Sequence, residues 1–179
     1  MAKRKPKVKV DPALSYIEPA LRPFAVLIDD VKDDPKNVNS HSEKAVRMAA
    51  AAIDQFGQQR PIVVDNDGVC VAGNGVLKAA RLLGWPFIAA VKTSLTGAQR
   101  TAFAIADNKL GELSTWDKLG LHDALSQLQT EDLNFAAIGF DETAIRNLAK
   151  KVEELDLIAD DDEDGGQPTE PPAPQEPAT

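Results

Sequence analysis

A glycine pair at the head of a helix is the strongest chemical signal in this chain. Val69-Cys70-Val71 delivers the backbone into Gly73-Asn74-Gly75, and a helical run through Lys78 and Ala80 follows. A strand that ends in glycines at a helix start leaves backbone N–H groups facing outward, where they can hold an anion. That pattern points to phosphate chemistry, with Gly73, Asn74 and Gly75 at the turn and Lys78 as a charge one turn on. The plainer alternative is that the glycines only permit a tight strand-to-helix turn. A second pair, Asp107-Asn108, falls among alanines in a helix-forming stretch although neither residue favours a helix interior. Either its oxygens help hold a Mg²⁺ that phosphate also ligates, or a hydrogen bond ties it to the loop at residues 37–39. Asp29, Asp30, Asp33, Asp34 and His41 offer carboxylates and an imidazole that could serve as general base or metal ligand. So dense an acidic run also describes a solvated turn, and His41 directly precedes a helix start, where a loop or capping role suffices.

These residues have to be placed by an ordered set of elements. The apolar run at 24–28 reads as a strand ending at Asp29-Asp30. Residues 33–41 are polar, proline-broken loop. Val46, Ala49, Ala50, Ile53 and Phe56 then recur at helical spacing, with Gly57 placed to end that helix. Residues 62–64 and 69–71 flank a turn at 65–68 and predict a β-hairpin. A helix over about 75–83, a strand at 87–91 and a third helix follow. That third helix is expected to open with a Thr96/Gln99 capping box and to bury Phe103, Ala106, Leu110 and Leu113. Trp116 reads as an anchor for what comes next: a fourth helix over 117–128, with His122 on its surface, and a fifth from Asp141 with Ile145, Leu148, Val152 and Leu155 on one face. Strand, helix, hairpin, helix, strand and then helices predict an α+β domain with a small mixed sheet, flanking helices and a C-terminal helical extension.

Composition separates the ends from this core. Lys3, Arg4, Lys5, Lys7 and Lys9 stand in the first ten residues with no acid among them, while residues 153–179 are acidic and proline-rich with no base. Most of the net charge of −8 therefore belongs to the tail. The expected division is a basic disordered arm over 1–20, a domain over 21–116, the helical extension over 117–157 and an acidic disordered tail over 158–179. The arm could lie along nucleic-acid phosphates or be a plain solvated terminus. The lone Cys70 excludes an internal disulfide and a thiolate metal centre. No apolar run approaches the roughly 18 residues of a membrane span, so a cytoplasmic protein without membrane contact is expected.

Four pieces in order carry a resemblance: Pro35-Lys36-Asn37-Val38-Asn39; Gly57-Gln58-Gln59-Arg60-Pro61-Ile62; the run from Ala72-Gly73-Asn74-Gly75 to Lys78-Ala79-Ala80; and Ala106-Asp107-Asn108-Lys109-Leu110. Together, over about residues 24–116, they resemble the N-terminal domain of the ParB/sulfiredoxin superfamily, of the kind found in phages and mobile elements. The resemblance implies a site for a nucleotide, CTP or ATP, with Arg60, Gly73, Asn74, Gly75 and Lys78 at its phosphates and Asp107-Asn108 holding Mg²⁺. Gly75 and Val76 stand where partition proteins of the family carry two arginines. Asn74 stands where sulfiredoxins carry their cysteine, which excludes their chemistry. The resemblance further implies a stand-alone domain serving phage or mobile-element DNA transactions, in a bacterial or phage-infected cell. If it is catalytic, nucleotide hydrolysis or nuclease-type phosphoryl chemistry is expected, with Asp29, Asp30 or His41 as base. The alternative is a non-enzymatic adaptor that binds DNA, a DNA methyltransferase or another phage protein. No recognition-helix pattern follows Trp116, so centromere-type partition is not expected.

Overall fold

Contacts divide the chain into two units in the computed structural model, which describes residues 12–129, 131 and 133–163. The first unit takes the described residues up to Trp116 together with 131–141; the second takes 117–129 and the residues from Glu142.

The first unit is built on a four-stranded mixed sheet in the order β1-β4-β2-β3, with β1 at Ala25–Leu27, β2 at Ile62–Val64, β3 at Cys70–Ala72 and β4 at Phe87–Lys92. β4 lies inside it, antiparallel to β1 with Ala25 opposite Ala89, and parallel to β2 with Ile62 opposite Ala90. β2 and β3 form the expected antiparallel hairpin, with a register shift between Val63 and Val64. Helices α1 (Glu43–Phe56) and α2 (Asn74–Leu82) pack on each other, and their apolar faces meet the sheet. Ile53, Leu77, Ala80, Ile62, Cys70 and Ile88 form the core, joined by Trp85. The mixed α+β architecture is the one the periodicities predict.

Local chemistry sets the helix ends. The Ser42 hydroxyl accepts from the Ala45 N–H and starts α1. Gly57 ends it at φ 69°, ψ −179°, a conformation open essentially to glycine alone, and a Cβ there would lie 2.7 Å from the Tyr16 carbonyl oxygen. Gln58 follows, 1% exposed. Its Oε1 accepts from the Ala89 N–H at 2.7 Å, and its Nε2 donates to the carbonyls of Ala89 and Arg60 at 2.9 and 3.0 Å. The side chain thus pairs with β4 just ahead of the point where β2 begins.

Several expectations need correction. The domain starts before residue 21: Ile17 is buried and bridged to Gln58, Tyr16 stacks on Trp85 at 4.0 Å, and the Tyr16 hydroxyl accepts from the Phe87 N–H. Residues 13–20 are therefore domain, not arm, and residues 1–11 lie outside the described residues. The first strand is shorter than 24–28, because 3-10 turns at Pro19–Phe24 and Ile28–Asp30 enclose it. Helix α3 (Gly97–Glu112) is N-capped at Thr96 without the side-chain bond of a capping box, and none of its residues is buried. Leu110 and Leu113 are 65% and 68% exposed, so the expected apolar face is not covered within this unit. Trp116 at 73% exposure anchors nothing there either.

The helical extension is not one block. Residues 131–141 return to the first unit, where the 3-10 turn Phe135–Ile138 packs on α1 and the Asn134 N–H donates to Gln55. In the second unit α4 (Lys118–Leu128) packs on α5 (Glu142–Glu163), burying Leu125 and Val152. Asp117 caps α4 by accepting from the Gly120 N–H. Helix α5 continues past 157 into the expected tail, and residues 164–179 lie outside the described residues. His122 is partly buried, 3.7 Å from Asp123. Cys70 is fully buried and donates to the Ala72 carbonyl, and burial pushes its thiol pKa up to about 12, so it packs as a small apolar side chain.

Candidate nucleotide site

The turn that opens α2 is fixed by contact as much as by conformation. Gly73 caps the helix at φ 87°, ψ 22°, in the left-handed region, and a Cβ on it would lie 2.8 Å from the Ile62 Cγ2. A Cβ on Gly75 would lie 3.3 Å from the His41 Cε1, so the imidazole lies against the turn. Next to it opens a cavity of about 190 Å³. Gly73 to Val76 form one wall, Asn37, Asn39 and His41 a second, and Asp107 with Asn108 a third, with Ala49 of α1 also in the lining.

The second and third walls are tied together. The Asn39 Nδ2 donates to the Asn108 Oδ1 at 2.6 Å, and the Asn108 Nδ2 donates back to the Ala104 carbonyl. This is the loop-to-helix bond foreseen as one reading of the Asp107-Asn108 pair. Asn37 shapes the loop by accepting from the Asn39 N–H at 2.9 Å.

Arg100, which sequence reasoning missed, makes a larger tie. Its Nε donates to Asp65 and its Nη1 to Asp34, each at 2.9 Å, which joins α3, the β2–β3 turn and the loop leading to Asn37. Its partners lie 35 and 66 residues away in sequence, so no local spacing marks them. Burial pushes the Asp65 carboxyl up, but the N–H groups of Val69 and Asp67 and the Arg100 guanidinium outweigh it and hold the pKa below its ordinary value of 3.8. Replacing Arg100 with methionine should cost about 2 kcal/mol, since it strands two partly buried carboxylates. A urea titration measures that loss. Asp65's share is present above pH 3.8 and lost as pH falls through its lowered folded value. The variant should therefore lose less stability in acid than the parent does.

The other expected site residues divide. His41 lines the cavity, and burial, with Lys78 adding to it, pushes its pKa below 6.5, so the ring is neutral at pH 7. Lys78 acts electrostatically on His41 but is not in the lining. Arg60 is exposed and outside the lining. Asp29 and Asp30 are exposed in the turn beside Gly68, where a Cβ would meet the Asp30 carbonyl at 3.0 Å, and they do not reach the cavity. Arg81, near the end of α2, donates to Asp33 at 2.7 Å and to the Val31 carbonyl at 2.6 Å.

The residues present do not make a metal centre by themselves. Asp107 and Asn108 are neighbours on a helix and point about 100° apart. The Asn108 carboxamide is already bonded at both ends, which leaves one carboxylate. No group of three or more His, Cys, Asp or Glu suited to a metal occurs among the described residues. No helix among them is long and apolar enough to cross a membrane.

No family model matches the chain. The ParB-like nuclease domain-containing protein YnaK of Escherichia coli (strain K12) is 36% identical over 47 residues, 26% of this chain and 54% of that protein. The match thus spans about half the length of that curated relative. Among solved structures, the C-terminally truncated chromosome-partitioning protein ParB from Caulobacter crescentus complexed with CTP-gamma-S aligns at a TM-score of 0.58 and 16% identity, over 69% of this chain and 74% of that one. A Pnob8-like ParB-N domain aligns at a TM-score of 0.40 and 19% identity, over 60% of this chain and 49% of that one. The sequence likeness falls on a protein named for a ParB-like nuclease domain, and the chain has a ParB-like fold.

Proposed function

We propose that the domain binds a nucleotide in the cavity at the Gly73–Val76 turn and serves a DNA transaction of a phage or mobile element in a bacterial cytoplasm. The observation that carries this reading is the convergence of three distant segments, the turn, the 37–41 loop and the Asp107-Asn108 pair, on one cavity. The relative complexed with CTP-gamma-S adds support through its fold. The test is calorimetric titration of the full chain with cytidine, adenosine and guanosine nucleotides. Absence of heat with all of them up to millimolar concentration sinks the proposal. The DNA half rests on the basic residues Lys3, Arg4, Lys5, Lys7 and Lys9. Deleting residues 1–10 should weaken DNA binding and lower the salt slope by about 0.9 for each phosphate contact removed. An unchanged slope would count against the arm.

A second reading, an adaptor that docks a DNA methyltransferase or another phage protein, is favoured by one observation. Ile105, Leu110, Leu113 and Trp116 are all exposed on α3 and just beyond it. Phosphoryl chemistry, if present, would depend on Asp107, the lone carboxylate in the lining.

A further inference from the structure

We infer that this site takes a nucleotide carrying a single phosphate and holds it without a divalent ion. The inference rests on the nucleotide reading above and comes from the charge that the cavity can supply. A phosphate monoester carries about −1.5 to −2 at pH 7, and every further phosphate adds to that. Against it the N-terminus of α2 offers roughly half a positive charge. Lys78, in α2 one turn beyond Asn74, is outside the lining but acts on His41 electrostatically and adds one more. His41 adds none at pH 7, because burial and Lys78 keep its ring neutral. Asp107 subtracts one.

The arginines of the surrounding elements are already committed. Arg81 is paired to Asp33 at 2.7 Å, Arg100 to Asp34 and Asp65 at 2.9 Å, and Arg47 to Glu43 at 3.3 Å. Lys109, two residues past Asp107, is paired to Glu112. No lysine or arginine of the described residues lines the cavity. That supply comes to about half a positive charge, which offsets part of one phosphate and a far smaller part of three, and each uncompensated like charge costs affinity. What the lining offers instead is carboxamide chemistry. Asn37 and Asn74, with whatever capacity Asn39 retains beside Asn108, give donors and acceptors suited to a base edge or a ribose hydroxyl. With Asn108 bonded at both ends, a magnesium ion finds too few free oxygens to offset a triphosphate.

A nucleotide within single-stranded nucleic acid also presents a base, a sugar and a single phosphate, there as a diester with one charge. The experiment therefore titrates the full chain with CMP, AMP, CTP, ATP and a short single-stranded oligonucleotide, each with Mg²⁺ and with EDTA. The monophosphates should bind at least about tenfold tighter than the triphosphates, and EDTA should leave their affinity unchanged. An oligonucleotide tighter than the mononucleotides, with triphosphates still weakest, keeps the inference and makes nucleic acid the source of the ligand. Triphosphate with Mg²⁺ binding tightest overturns it while leaving the nucleotide reading intact. Silence with every ligand overturns both. The variant Asp107→Asn separates the causes. It should strengthen triphosphate binding several-fold by removing a repelling charge, whereas weakened binding in Mg²⁺ would make Asp107 a metal ligand and refute the inference.

Discussion

Replacing Gln58 with leucine should remove about 3–5 kcal/mol of stability, a large share of what a domain of this size possesses. The expectation follows from what leucine leaves behind. The Ala89 N–H, the Ala89 carbonyl and the Arg60 carbonyl all lose a partner, and the position is 1% exposed, so water does not replace it. Each buried polar group stranded in this way costs about 1–3 kcal/mol. Leucine is close in size and more apolar, so a packing gain partly offsets the loss. The measurement is urea denaturation, in which the midpoint should fall while the slope stays unchanged. Alanine at the same site should be worse, because it adds a cavity. A leucine variant as stable as the parent would show that Gln58 fills space and contributes no net pairing.

The second large effect is expected at Gly73. Alanine there meets two penalties: the left-handed conformation at φ 87° and a Cβ 2.8 Å from a methyl of Ile62, a residue only 1% exposed. The first costs about 1–2 kcal/mol and forced overpacking about 1–3 more. A control isolates the two. Gly84 also has a positive φ, 68°, but nothing lies within 4 Å of the Cβ position, so Gly84→Ala should show the conformational cost alone. Gly73→Ala should also abolish ligand binding, because the backbone donors of the turn move with the helix start. Equal losses at the two glycines would refute the contact argument.

The sequence carried the strand and helix order, the hairpin and the two glycine-led features because each is a local signal. Apolar periodicity placed β2, β3, α1 and α2 to within a residue or two, and the pair Asp107-Asn108 stood out by propensity alone. What the sequence hid is long-range. Nothing near Arg100 announces Asp34 and Asp65, and nothing near Tyr16 announces Trp85, so the residues before position 21 read as an arm. Helix α3 misled in the opposite way. Its leucines have the spacing of a buried face, but periodicity records only that a face exists and does not say what covers it. Arg60, Asp29 and Asp30 lie outside the cavity lining, and nothing local in the sequence says so, since side-chain type is visible there and direction is not.

The order in which the chain visits its two units has a bearing on synthesis. A ribosome releases the four strands and helices α1 to α3 first, yet the turn at 135–138 that packs on α1, and the Asn134 bond to Gln55, arrive only after all of α4 has been made. The sheet unit must therefore wait for about residue 141 before its last contacts form, with α4 emerging in the interval. Domains usually complete themselves in order from the amino terminus. Here the first unit still finishes ahead of the second, whose α5 follows it, but only after α4 of that second unit has been made, and a nascent chain halted at Trp116 would expose the flank of α1 that the returning turn covers.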